Sequence, residues 1–126
     1  MLTKEQVELV GNGLQELAKH VWEVAQSKGW HDEPVPMPVT CSNLHGEVSE
    51  MWEAHRANKL NEPCDKAEKM KTLGLPPLTC IEEEVADIII RALDLVQEYN
   101  VDVKKALAVK DAYNQTRPHK HGGKIA

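Results

Sequence analysis

Thr79-Cys-Ile-Glu-Glu-Glu-Val-Ala-Asp-Ile-Ile-Ile-Arg-Ala-Leu-Asp-Leu-Val-Gln-Glu-Tyr99 spells out an amphipathic helix with an acidic edge. Thr79 and Glu82 form a capping box, in which each side chain satisfies the other residue's free backbone N–H. Asn100 is a natural stop. With Glu84 as origin, apolar residues fall at −3, +1, +4, +5 and +8, namely Ile81, Val85, Ile88, Ile89 and Ala92. That is the stripe of a helix with one face on a core. Glu84 and Asp87 are three residues apart, so both carboxylates lie on one edge of the stripe. Asp94 lies farther along nearly the same line and reads as an exposed acid, with an outer supporting acid of the same edge as the alternative.

The segment Glu47-Val-Ser-Glu50 repeats the design. Taking Glu47 as origin, the same offsets give Leu44, Val48, Met51, Trp52 and His55. Either acid pair alone is what a solvated helix face carries. Two pairs with matched offsets have a geometric consequence. If the two stripes pack together, Glu47, Glu50, Glu84 and Asp87 face one another across one border of the core. Four carboxylates in a small volume repel unless divalent cations neutralise them. An all-oxygen donor set suits Mg²⁺, with Mn²⁺ as a substitute, and such ions commonly bridge to phosphate. A di-iron centre would need Glu-x-x-His, which neither segment has.

Around these two helices the chain reads as all-α, an antiparallel bundle of about four main helices completed by oligomerisation. A first helix is predicted from Thr3, which boxes with Gln6, to about Ser27, with Gly29 as its stop. Pro34, Pro36 and Pro38 enforce an extended connection. The second helix runs from about Val39 or Ser42 to Asn58. Lys59–Pro77 reads mainly as a loop, with room for a short helical turn. The third helix is the one quoted above, and a fourth runs from near Asp102 to before Pro118. Trp22 and Trp52 fall on apolar stripes and read as core.

The 126 residues make one domain, 1–126, with 118–126 as a basic tail that is mobile unless something docks it. Absence of Phe and a supply of Leu, Val, Ile and Ala favour helices over a β-sandwich. A formal charge of −5 argues against binding long nucleic acid, which needs an extended basic surface. Cys41, Cys64 and Cys80 are widely spaced, with no C-x-x-C pair, so a zinc ribbon is unsupported and the odd count fits reduced thiols in the cytoplasm. The start, Met1-Leu-Thr-Lys-Glu, is too polar for a secretory signal. No apolar run approaches the ~20 residues that span a bilayer, so no membrane partner is expected.

The basic charge gathers at the other end. Lys110, Asn114 and Arg117 share a face of the fourth helix, and Pro118-His-Lys-His-Gly-Gly-Lys124 follows. Arg offers phosphate a forked donor pair, Lys a point charge, and Asn a neutral donor. Gly122 and Gly123 let backbone approach an anion. The alternative is a solvated basic terminus. His119 and His121 read as surface histidines. Trp30, in the turn Gly29-Trp30-His31-Asp32, is placed either to stack on a nucleobase or to pack on the helices.

Taken together, Glu47-Val-Ser-Glu50, Glu83-Glu84-Val-Ala-Asp87 and Asn114-Gln-Thr-Arg117-Pro-His-Lys-His-Gly-Gly-Lys124 resemble the MazG-like all-α nucleoside triphosphate pyrophosphohydrolases. The resemblance covers the chain from about Gly29 to its end. It implies Mg²⁺-dependent cleavage of a nucleoside or deoxynucleoside triphosphate to the monophosphate and pyrophosphate. It implies Glu47, Glu50, Glu84 and Asp87 as metal ligands, and Lys110, Asn114, Arg117 and Lys124 as phosphate contacts. A composite site in a homodimer or homotetramer is implied as well. Glu47 is the candidate to orient or deprotonate the attacking water, and Trp30 the candidate base contact. The chain departs from the family pattern in the long interval between Glu50 and Glu84, and in Gly46, where many relatives carry an acid. Two rival readings use the same helices: a metal- and nucleotide-binding sensor without turnover, and a plain helical oligomer with solvated acids.

Overall fold

A computed structural model describes residues 1–126. All regular structure is helical: α1 (Lys4–Ser27), α2 (Met37–Arg56), α3 (Ala67–Thr72), α4 (Cys80–Glu98), α5 (Val103–Thr116) and the single turn α6 (Lys120–Gly123). No helix is long and apolar enough to cross a membrane.

Helix boundaries follow from local chemistry. Both capping boxes form as expected, with Thr3 against Gln6 and Thr79 against Glu82. Asp102 caps α5 by accepting from the Lys105 N–H at 2.9 Å. Gly29 turns the chain out of α1 at φ +88°, a conformation that only glycine adopts cheaply. The second helix begins at Met37, earlier than its sequence suggested, and takes Pro38 into its first turn. Proline is tolerated there because the first N–H groups of a helix have no internal partner. Within Lys59–Pro77 the short α3 forms, and the flanking chain is pinned to the start of α4. The N–H groups of Cys64, Cys80 and Ile81 bond to the carbonyls of Leu78, Glu62 and Leu60, each at 2.9 Å.

α4 is the centre of the arrangement, packing on α1 along one side and on α2 along another, while α1 also meets α5. Ala18, Leu93, Val96 and Val103 form the buried core, with Leu14, Val21 and Val101 packed around them. Gln15 locks the α4–α5 corner to α1: its Nε2 donates to the Val101 carbonyl at 3.2 Å and its Oε1 accepts from the Val103 N–H at 3.1 Å. Gly11 lets α5 come close, since a Cβ there would stand 3.0 Å from the Lys104 Cα.

The core is thin. No large side chain is fully buried, and apolar residues on every long helix remain open. Trp52 corrects the core expectation: it is 58% exposed, with its ring stacked on His55. Trp22 is half-buried and donates its indole N–H to Glu98.

Candidate functional site

Packing α2 against α4 brings the acidic edges together. One oxygen each of Glu47, Glu50 and Glu84 lies within 4.8 Å of the others. Glu47 and Glu84 are buried, whereas Glu50 is exposed. Glu84 Oε2 is shut off from water and has no hydrogen-bond partner. An orphaned carboxylate oxygen is costly in a protein interior. Burial first, then the neighbouring carboxylates of Glu50 and Glu47, push the Glu84 carboxyl up to about 7. Asp87 stands outside this tight trio but within its field. Burial first, then Glu47 and Glu83, raise its pKa above the ordinary range, against the opposing pull of Lys66 and Arg91.

Two cations answer part of the charge. The Arg91 Nε donates to Glu47 Oε1 at 2.5 Å. Lys66, from the segment before α3, pairs with Glu83. Five carboxylates (Glu47, Glu50, Glu83, Glu84 and Asp87) thus share two basic side chains. The excess is negative, and the trio holding the orphaned oxygen contains three hard oxygen donors. That donor set fits Mg²⁺ or Mn²⁺.

A second group, Cys64, Asp65 and Glu83, also has ligand atoms within 4.8 Å of one another. Its chemistry differs. The buried carboxylate, Glu83, already has Lys66 as counterion, and the Cys64 thiol is pushed up by burial, which favours the neutral form. This group clamps the α3 segment to α4.

Glu47, Glu50, Asp87, Lys66 and Arg91 border a cleft of about 690 Å³. Its other walls come from α1, the turn after it, and the far half of α4, and include Trp30, His31, Val35 and Tyr99. Trp30 therefore shares one cavity with the acids. The cleft's size falls in the range of small-molecule sites. Asp94 is not the exposed acid its sequence position suggested. It is half-buried, with Oδ1 2.8 Å from His31 Nε2.

The basic candidates stand elsewhere. Lys110, Asn114, Arg117 and Lys124 are on α5 and the segment beyond it, and none of them borders the cleft. Lys110 and Arg117 lie over the Tyr113 ring, at 5.1 and 5.9 Å from its centroid. Within one chain they do not meet the acids.

Sequence reasoning missed Arg91, Lys66 and His31. The first was legible, since it lies four residues beyond Asp87 and seven beyond Glu84 on the acidic edge. Lys66 and His31 come from irregular segments, where no periodicity marks a facing residue. Comparisons of the chain with protein-family models, with curated proteins and with solved structures found no match, so the site rests on the chain's own residues.

Proposed function

We propose that this chain is a Mg²⁺-dependent nucleoside triphosphate pyrophosphohydrolase of the MazG-like type, releasing a nucleoside or deoxynucleoside monophosphate and pyrophosphate. The observation that carries the reading is the Glu47–Glu50–Glu84 trio with its orphaned Glu84 oxygen, set beside a cleft that also holds Trp30. Glu47, Glu50 and Glu84, with Asp87 adjoining, are the residues to hold the ion. When bound, the cation neutralises phosphate charge and lowers the pKa of a nucleophilic water.

The chain's own groups do the rest. Arg91 fixes the orientation of Glu47, leaving that carboxylate to orient the attacking water or take its proton. Lys66 and Arg91 supply positive charge on the cleft wall for the phosphate chain. Trp30 offers its ring to the base. Lys110, Asn114, Arg117 and Lys124 contact the leaving pyrophosphate from a second copy of the chain, in a homodimer or homotetramer. Their distance from the cleft in one chain motivates that assignment, together with the open apolar faces of the helices.

The test is a phosphate-release assay coupled to inorganic pyrophosphatase, run over canonical nucleoside triphosphates with Mg²⁺ and again with Mn²⁺. Turnover should depend on the metal and fall by at least ~100-fold in Glu50→Gln and Asp87→Asn, with helicity unchanged. Wild-type nucleotide binding without pyrophosphate release would instead identify a sensor. No metal binding by calorimetry, with or without nucleotide, would leave a helical oligomer with solvated acids.

A further inference from the structure

Beyond the acidic trio, the same cleft holds a second polar cluster. His31 is its centre, with a side chain only 7% exposed. The ring stacks on Trp22, centroids 5.1 Å apart and planes 20° from parallel. Its Nε2 meets Asp94 Oδ1 at 2.8 Å. Its Nδ1 lies 3.2 Å from Glu98 Oε2 but outside hydrogen-bonding geometry, and has no other partner. Glu98 Oε2 accepts instead from the Trp22 indole N–H at 2.5 Å. His31, Asp94 and Glu98 all border the cleft, together with Trp30 and Tyr99.

The cluster is short of donors. An imidazole carries at most two N–H groups, so with the Trp22 indole N–H the four carboxylate oxygens of Asp94 and Glu98 meet at most three donors here. Asp94 and Glu98 are each about two-thirds or more covered yet still open toward the cleft. A ligand entering here with a carbonyl forward would set lone pairs against carboxylate oxygens. One entering with N–H groups forward supplies what is missing. Position fits a nucleoside: Asp94 is seven residues beyond Asp87, which is roughly 10 Å of helix rise.

Resting on the hydrolase reading above, we propose that this part of the cleft is a base-recognition subsite selective for nucleobases with an exocyclic amino group. Asp94 and Glu98 accept from that group, His31 holds Asp94 in place, and Trp30 and Tyr99 flank the ring. Uracil and thymine present a carbonyl at the corresponding edge and are rejected.

The experiment compares kcat/KM for cytosine, adenine, guanine, uracil and thymine nucleotides in wild type, Asp94→Asn and Glu98→Gln. Calorimetric binding of the nucleoside monophosphates runs in parallel. Wild type should favour amino-bearing bases over uracil and thymine by at least ~10-fold. An amide at position 94 offers its own N–H₂ to a carbonyl, so Asp94→Asn should narrow that ratio several-fold, read as a ratio independent of overall rate. Far-UV circular dichroism checks folding, and Glu98→Gln carries the test if Asp94→Asn is unfolded. Equal use of uracil nucleotides, or a preference that survives in both variants, overturns the proposal. Selective binding of amino-bearing monophosphates without any turnover leaves this subsite standing and removes the hydrolase reading. Absence of binding by every nucleotide overturns both.

Discussion

Glu84 keeps its proton to a pH at which ordinary carboxylates have lost theirs, because ionising it adds charge beside Glu47 and Glu50 in a place water hardly reaches. A folded-state value of about 7, against an ordinary 4.5, means the folded chain binds this proton more tightly than the unfolded chain. The resulting stabilisation is complete below the unfolded value and is lost as pH rises through the folded one. Metal-free protein should therefore lose roughly 2–3 kcal/mol from this group between about pH 4.5 and pH 8. Urea denaturation across that range measures it, and Glu84→Gln should flatten the slope. Added Mg²⁺ should raise the melting temperature more at about pH 8 than at about pH 5, because protons and cations compete for the same oxygens. An identical Mg²⁺ effect at both values would separate the metal from Glu84. Arg91 bears on the same balance from the other side. Arg91→Met leaves buried Glu47 without its partner and should cost about 1–2 kcal/mol in metal-free protein. Saturating Mg²⁺ should restore most of that loss, since the cation takes over the neutralising role. An Arg91→Met variant as stable as wild type in chelator would show that the ion pair carries no such weight.

Helix pairs fit or fail at single contact points, and α1 carries two glycines that separate propensity from packing. An alanine helix position is about 1 kcal/mol better than glycine when nothing is in the way. Around Gly13 there is nothing within 4 Å, so Gly13→Ala should gain about 0.5–1 kcal/mol. At Gly11 the new Cβ would press on the α5 backbone at Lys104, so Gly11→Ala should lose about 1–2 kcal/mol despite the better propensity. Thermal melts of the two variants should move in opposite directions, and parallel shifts would disprove the close α1–α5 approach. By helix propensity both glycines weaken the early turns of α1, and only the packing tells them apart. The helices themselves were legible because caps and apolar period are local: Thr3 with Gln6, Thr79 with Glu82, and the stripe from Ile81 to Ala92. The meeting of Glu47 and Glu50 with Glu84 was legible through matched offsets on two helices. Where a partner comes from a loop, that reasoning has no purchase. Lys66 reaches Glu83 through a segment held by three backbone hydrogen bonds, and His31 reaches Asp94 through a turn, so neither is marked by period or spacing. The placement of Trp52 failed for a different reason. A helical stripe identifies a face that seeks cover, but whether the cover comes from the same chain depends on how many helices surround it.

One chain supplies too few helices to cover its own apolar faces. On α2, Val48 and Trp52 stay open, and on α4 Val85 and Ile89 do so, 46% for Ile89. These are the +1 and +5 positions counted from Glu47 and from Glu84, so each of two helices that pack together leaves the same positions of its apolar stripe open. A solvated monomer with such rows would carry an apolar patch of the kind that marks an interaction surface. The basic residues of α5 lie off the cleft in the same chain, so the proposed function also needs a second copy. Sedimentation equilibrium should give a molar mass at least twice the 14.1 kDa of one chain. Placing lysine in both rows, as Trp52→Lys with Ile89→Lys, should shift the protein toward monomer, because two charges would otherwise be buried without partners. Each chain would keep its own acidic trio, so Mg²⁺ binding measured by calorimetry should survive while turnover falls at least ~10-fold. Adding back a chain with intact rows but with Glu84→Gln should not rescue the double variant, since that chain cannot dock on a charged row. A double variant that sediments as a monomer yet retains full turnover would place the whole reaction within one chain and assign Lys110, Asn114, Arg117 and Lys124 no part in it.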